Sequence, residues 1–311
     1  MNDRLKGYIL GAVAAASYGT NPLFAMPLMN AGIDAYSVLF LRYMFAIPIL
    51  AVMMIARRRG FGLRRSQVLP LMALGLGMAL SSLTLYVSYT YLGTAIASTL
   101  LFIYPILVTI IMAVFYKERA SMLTIGCIAL ATCGIALLYK GDAEGALSTA
   151  GLLLVLLSAL TYAIYMVAVN GRRMKEIPTL KLTLYVIFFG LFLFAFRFDT
   201  HSIDILRSDY RLWIYAFALA LFPTAVSLLC TSVAIQKIGS TPVAVLGALE
   251  PVTAVFFAVT VFNEQLTIRL IIGILMIITA VTLIISGGNI DTPLLRIRKM
   301  FPRIKRHKQE Q

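Results

Sequence analysis

Of the 13 acidic residues in this 311-residue chain, only Glu250 sits inside a long apolar run, and Pro251 follows it directly. The run begins near Thr241, so a helix would place Glu250 about 14 Å along its axis. A hydrocarbon core is about 30 Å thick, which puts this carboxyl near the middle. A charge at that depth costs about 2.5–3.5 kcal/mol on insertion scales. The cost is tolerable when the carboxyl is protonated, ion-paired or facing a wet cavity. Glu250 is therefore a candidate proton carrier and a candidate partner for a substrate amine. The alternative is a carboxyl that braces its helix. Arg42 is the matching basic residue, inside the run Ala35–Ala56 and about 10 Å deep by the same rise. It could snorkel to headgroups, pair with Glu250, or hold a substrate carboxylate.

A third set is aromatic and hydroxylic. Tyr18 and Asn21 are three apart, as are Tyr86 and Tyr89, and Tyr162 and Tyr165; Ser227 and Thr231 are four apart. Each pair falls on one helical face. With Tyr104 and Glu250 they are candidate substrate-binding residues in a central, mainly apolar cavity holding a few fixed polar groups. Any one of them could instead bond a neighbouring helix. Pro105, Pro223 and Pro251 remove backbone hydrogen bonds and are candidate hinges. Other chemistry is missing from the pattern. No GxxxxGK[ST] loop is present, so ATP-driven work by this chain alone is disfavoured. His201 and His307 fall in a loop and the tail, and the three cysteines lie in apolar runs as expected buried, inert thiols. No metal site, cofactor or enzymatic activity is expected, because the spans lack the paired acids, Ser–His pairs or zinc ligands of intramembrane hydrolases.

The elements that must position these residues follow from composition. The chain is 60% hydrophobic and 13% charged, with a mean hydropathy of +0.91. A soluble domain carries about 25% charged residues, so a water-soluble globule and a disordered chain are both excluded. A spanning helix needs about 20 apolar residues. Ten stretches qualify: Tyr8–Met29, Ala35–Ala56, Val68–Tyr91, Ala95–Phe115, Ala120–Tyr139, Thr149–Val169, Leu180–Phe196, Leu212–Ile235, Thr241–Phe262 and Leu266–Ile285. The runs are continuous rather than alternating, which argues for helices against a barrel. Ala14, Ala15, Ala16 and Ser17 could mimic a signal-peptide cleavage site. Cleavage is not expected, because it would leave nine spans.

The net charge of +14 fits the same reading without nucleic acid. The 27 Lys and Arg divide as 21 on the side of the N-terminus, five on the opposite side, and Arg42 within a span. That bias predicts both termini in the cytoplasm. The basic tail, residues 288–311, is expected against anionic headgroups or simply in water.

Shifted by 146 residues, the sequence places Ala79 on Ala225, Ser81 on Ser227, Gly93 on Gly239, Pro105 on Pro251 and Glu118 on Glu264. At an offset of 144, Gly7 falls on Gly151 and Tyr18 on Tyr162. Tyr104 falls at the position of Glu250. The chain thus divides into two repeats, 1–145 and 146–287, followed by the tail. Five spans per repeat is an odd number, so the two repeats should be oppositely oriented. Such inverted repeats recur in secondary transporters, with substrate bound between them near the bilayer midplane.

These features resemble a known family. Tyr104-Pro105 through Tyr116-Lys117-Glu118-Arg119, and Leu249-Glu250-Pro251 through Phe262-Asn263-Glu264, look like the motifs of the EamA family, within the drug/metabolite transporter superfamily. The run Phe40-Leu41-Arg42-Tyr43-Met44-Phe45-Ala46 also fits. The chain departs from the pattern at Asn263, where the family often has Gly before Glu. The resemblance covers about Gly7 to Gly287. It implies an all-α integral membrane protein and a secondary-active carrier of a small organic metabolite, working by alternating access. Export of an amino acid or related compound through a bacterial plasma membrane is the leading reading. Broad drug efflux, metabolite uptake, and a sensor or scaffold that binds without moving its ligand are the alternatives. Coupling to protons would run through Glu250.

Overall fold

The computed structural model describes residues 3–92, 94–117, 121–138, 148–261 and 267–300. Glu118, Arg119, Glu264, the turn residues Gly93 and Lys140 to Asp142, and the tail beyond Met300 lie outside the described residues. Within them the chain is helical, with no strand. The first half contains α1 (Asp3–Tyr18), α2 (Asn21–Asn30), α3 (Ala35–Ala56), α4 (Arg65–Leu92), α5 (Thr94–Leu101), α6 (Tyr104–Tyr116) and α7 (Met122–Leu138). The second contains α8 (Thr149–Val169), α9 (Arg172–Lys175), α10 (Thr179–Ala195), α11 (His201–Ser208) and α12 (Tyr210–Ala220). A π-helical turn, Leu221–Val226, leads into α13 (Ser227–Ile238), then α14 (Ser240–Leu246), α15 (Leu249–Val261) and α16 (Ile268–Met300).

Local chemistry sets the ends. The side chains of Asp34, Ser148 and Asp209 accept from the backbone N–H groups of Tyr36, Gly151 and Arg211. Each satisfies one of the orphan donors of a helix start. Gly239 turns the chain between α13 and α14 with φ of +88°, a conformation that a Cβ disfavours. Among the described residues, six helical stretches are long and apolar enough to cross a membrane. Large apolar side chains such as Phe115, Met122, Leu153, Ile214 and Leu275 are exposed. On a protein in water this would be an aggregation surface; around a membrane bundle it is the face turned to lipid.

Four of the ten expected spans are not uniform helices. The first breaks at Gly19-Thr20, the fourth at Phe102-Ile103 and the ninth at Gly247-Ala248, while the eighth carries the π-turn. Proline explains much of this. Pro22 and Pro105 take first-turn positions in α2 and α6, where an N–H would be unpaired in any case. Pro251 stands in the first turn of α15. The last helix runs beyond the expected end at Ile285 to Met300, past Gly287, Gly288 and Pro293, which disfavour helix. Of the cysteines, Cys127 is buried as expected, but Cys133 is exposed and Cys230 half-buried, because an apolar run in a bundle also has a lipid-facing side.

The two halves are built alike and pack crosswise. Helix α4 packs on α8, as α13 packs on α1; α3 packs on α12, as α10 packs on α4; α7 and α16 pack on each other. The correspondence reaches single bonds. Ser81 Oγ donates to the Ser158 carbonyl at 3.0 Å, and its repeat mate Ser227 donates to the Ala14 carbonyl at 3.0 Å. Gly7 abuts Ile238 and Lys237, where Gly151 abuts Leu92 and Tyr91, the same pairs shifted by one repeat.

The directions of the halves follow from these contacts. Lys181 Nζ donates to the Gly62 carbonyl and Thr179 Oγ1 to Gln236 Oε1, so the starts of α4 and α10 and the end of α13 share one face with Gly7. Helix α4 spans 28 residues, about 42 Å at 1.5 Å per residue, and ends beside Gly151 on the other face. The first half therefore starts on one face and the second on the opposite one.

Candidate functional site

The repeat mates converge at the junction of the halves. A cavity of about 20 Å³ is lined by Tyr18, Tyr104, Tyr162, Ser227, Thr231 and Glu250, with Gly11, Ala14, Ala15, Met166, Val243 and Gly247 completing its wall. Space for one water takes about 10–15 Å³, so the cavity has room for about one water rather than for a metabolite. Two of the helix breaks place the chemistry. Tyr104 begins α6 and Glu250 stands in the first turn of α15, each just past its break.

Small residues let these elements meet. A Cβ on Gly247 would collide with Tyr104 Oη, which donates to the Ala244 carbonyl at 3.2 Å. A Cβ on Gly19 would collide with the Glu250 carbonyl, so the end of α1 passes directly over the start of α15. Ala14 and Ala15, which mimic a cleavage site in the sequence, are wall residues here. Gly11, Met166, Val243 and Gly247 carry no polar group and gave no signal of their own in the sequence.

Arg42 sits in a separate chamber, completely buried. Its Nε donates to Thr224 Oγ1 at 2.5 Å and its Nη2 to the Pro223 carbonyl at 3.0 Å. Its Nη1 donates to Asn21 Oδ1 at 3.2 Å and Tyr86 Oη at 3.4 Å. Tyr86 in turn donates to Asn21 Oδ1 at 2.7 Å. The π-turn prepares this chamber. Pro223 has no N–H for the Leu219 carbonyl, and Thr224 Oγ1 supplies the missing donor at 2.8 Å. The guanidinium also lies 5.5 Å from the centroid of the Tyr18 ring. That ring is the link between the chamber and the cavity.

The sequence-derived candidates therefore separate. Tyr18, Tyr104, Tyr162, Ser227, Thr231 and Glu250 line the cavity. Asn21 and Tyr86 belong to the Arg42 chamber instead, and Tyr89 packs on Tyr86 with ring centroids 5.4 Å apart. Tyr165 lies behind Tyr162, its ring parallel at 6.2 Å and its hydroxyl 3.4 Å from Ser232 Oγ. Helical spacing put Tyr162 and Tyr165 on one face, but a face is wide enough to meet both a cavity and a neighbouring helix. Arg42 neither snorkels nor pairs with Glu250: it is sealed inside, and no ion pair joins the two among the described residues. Thr224, central to the chamber, was not a candidate, because a lone Thr beside Pro223 carries no distinguishing pattern. Pro105 and Pro251 stand just past breaks and Pro223 inside the π-turn.

Among known proteins, the model of the EamA-like transporter family matches residues 5–140 and again 149–286. A curated relative, an uncharacterized transporter of Archaeoglobus fulgidus, is 28% identical over 273 residues, covering 86% of this chain and 92% of that protein. A crystal structure described only as that of a protein superposes with a TM-score of 0.75 at 16% identity, covering 95% of this chain and 99% of that one. The last likeness concerns the fold alone.

Proposed function

This chain belongs to the EamA-like transporter family, and from that premise we propose that it is a secondary-active carrier of a small organic metabolite. As a multi-pass membrane transporter it needs one site reachable from either side. The observation that carries this reading is the cavity between the halves, whose wall pairs Tyr18 with its repeat mate Tyr162 and Tyr104 with its mate Glu250. Two similar, oppositely directed halves can exchange conformations and open such a site alternately. The breaks at Gly19-Thr20, Phe102-Ile103 and Gly247-Ala248 and the π-turn at Pro223 are the proposed hinges.

The chain crosses the cytoplasmic membrane of a bacterium ten times, with both termini inside. Its basic tail rests on anionic lipid, protons couple through Glu250, and no cofactor, metal or nucleic acid takes part. The substrate is an amino acid or a related compound, amines included, and it is exported. The test is flux in sealed proteoliposomes, after a ligand-stabilisation screen of the purified protein. Counterflow of a stabilising compound is expected. Binding without flux from either side would leave a sensor and reject the carrier.

A further inference from the structure

We propose that the cavity selects for a single positive charge, binding small organic amines in preference to acids, neutral amides and amino acids. The transport reading enters only in placing the substrate at this cavity.

The first observation is the charge of the wall. Glu250 is its one ionisable acid, and no Lys, Arg or His lines it. The nearest cation, Arg42, is not available to a ligand carboxylate. A guanidinium has five N–H donors, and four are already used, on Thr224, Asn21, Tyr86 and the Pro223 carbonyl. The residue is fully buried, and the ring of Tyr18 lies against it. An anionic group in the cavity would meet Glu250 directly, whereas Arg42 is not part of the wall.

The second observation is the direction of the hydrogen bonds. Ser227 already donates its hydroxyl hydrogen to the Ala14 carbonyl at 3.0 Å, and Tyr104 donates its own to the Ala244 carbonyl at 3.2 Å. What these hydroxyls offer a ligand is lone pairs. The hydroxyls of Tyr18, Tyr162 and Thr231 can donate or accept, so it is the Glu250 carboxylate that asks for N–H donors. An ammonium has them; a carboxylate has none. The rings of Tyr104 and Tyr162 meet edge to face, with centroids 4.9 Å apart, and aromatic rings beside a carboxylate attract cations further. Arg42 opposes a second positive charge nearby, but its charge is spread over four neutral partners and lies against the ring of Tyr18, a wall residue; Glu250 is the charge in direct reach of a ligand.

Isothermal titration of the purified full-length protein tests this with two bodies, butyl and phenethyl, each as the amine, the carboxylate, the primary amide and the α-amino acid. The amines should bind at least about tenfold tighter than the other three forms, a difference of about 1.4 kcal/mol. Glu250→Gln should bring the amine down to the level of the amide. An independent arm compares Tyr162→Phe with Tyr162→Leu, and the ring-keeping variant should hold the amine more tightly. Size-exclusion elution and melting temperature report whether each variant is folded, and the tyrosine pair carries the test if the glutamine variant is not. Tighter binding of a carboxylate or amino acid, no binding of either amine, or an amine preference that survives Glu250→Gln would each overturn the proposal. Flux of a bound amino acid would reject the charge selection and keep the carrier. Amine binding without flux would do the reverse.

Discussion

A guanidinium buried among neutral acceptors is unusual chemistry, and Arg42 tolerates it by spreading its charge over four hydrogen bonds. Its partners are less dependent on it. Asn21 Oδ1 keeps the Tyr86 hydroxyl, and Thr224 keeps the Leu219 carbonyl. Arg42→Met should therefore cost only about 1–3 kcal/mol, mostly from the Pro223 carbonyl left alone. Arg42→Lys keeps a buried charge but cannot reach four partners from one nitrogen, and should cost more. Melting temperatures of the two variants in detergent check this, and a lysine variant more stable than the methionine one would reject it. Glu250 is the opposite case, a half-buried carboxyl on a cavity wall. If it carries protons in the proposed cycle, Glu250→Gln should fold and still bind an amine, though about tenfold more weakly, and its remaining flux should lose its pH dependence. A folded glutamine variant with wild-type flux and an unchanged pH profile would remove Glu250 from the cycle. Both residues were legible in the sequence, because a charge inside an apolar run is conspicuous. Asn21, Tyr86, Tyr89 and Tyr165 were misplaced because spacing names a face of a helix, not the neighbour that the face meets.

At the scale of the element, the site depends on interruptions. The break at Gly247-Ala248 lets Tyr104 Oη occupy the space a side chain would fill, and places Glu250 in the first turn of α15. Gly247→Ala should therefore destabilise by about 1–3 kcal/mol through overpacking. Adding Tyr104→Phe removes the colliding oxygen, so the double variant should recover part of the loss, although the ring carbon bearing the hydroxyl also lies close. Unfolding of the single and double variants gives the coupling directly. Additive losses would mean that Gly247 is needed for its backbone alone. These interruptions were only half legible. Proline marked the neighbourhoods, but hydropathy runs straight through Gly19, Phe102 and Gly247, and an apolar average cannot register a break whose N–H groups still bond to the preceding turn, as those of Gly19, Ile103 and Gly247 do. The two short loop helices, α9 and α11, were missed for the complementary reason: eight polar-rich residues or fewer carry little periodic signal.

For the whole molecule, the repeat is what the sequence displayed best, since Gly, Pro and Ser matched at fixed offsets occupy contacts the fold uses twice. Ser81 on Ser158 and Ser227 on Ala14, Gly7 on Ile238 and Gly151 on Leu92, are one arrangement made in both halves. Because the second copy runs the other way, the two faces of the bundle are built from the same parts and differ mainly in charge. The face holding Gly62, Thr179 and Gln236 also carries the basic stretches Arg57 to Arg59, Arg64, Arg65, Arg172, Arg173 and Lys175. The face of α11 carries Arg197, Arg207 and Arg211. The positive-inside rule then predicts that the first face is cytoplasmic. Exposed positions on each face test that assignment. In intact cells expressing single-cysteine variants on a cysteine-free background, Gly62→Cys and Glu176→Cys should be protected from an impermeant thiol reagent. His201→Cys and Arg207→Cys should react, and permeabilisation should bring the first pair up to the second. Labelling of Gly62→Cys before permeabilisation, with His201→Cys protected, would invert the molecule in the membrane while leaving the opposed directions of its halves intact. Labelling of Gly62→Cys and His201→Cys alike from outside would mean that α4 and α10 do not both cross, and would overturn the inverted repeat itself.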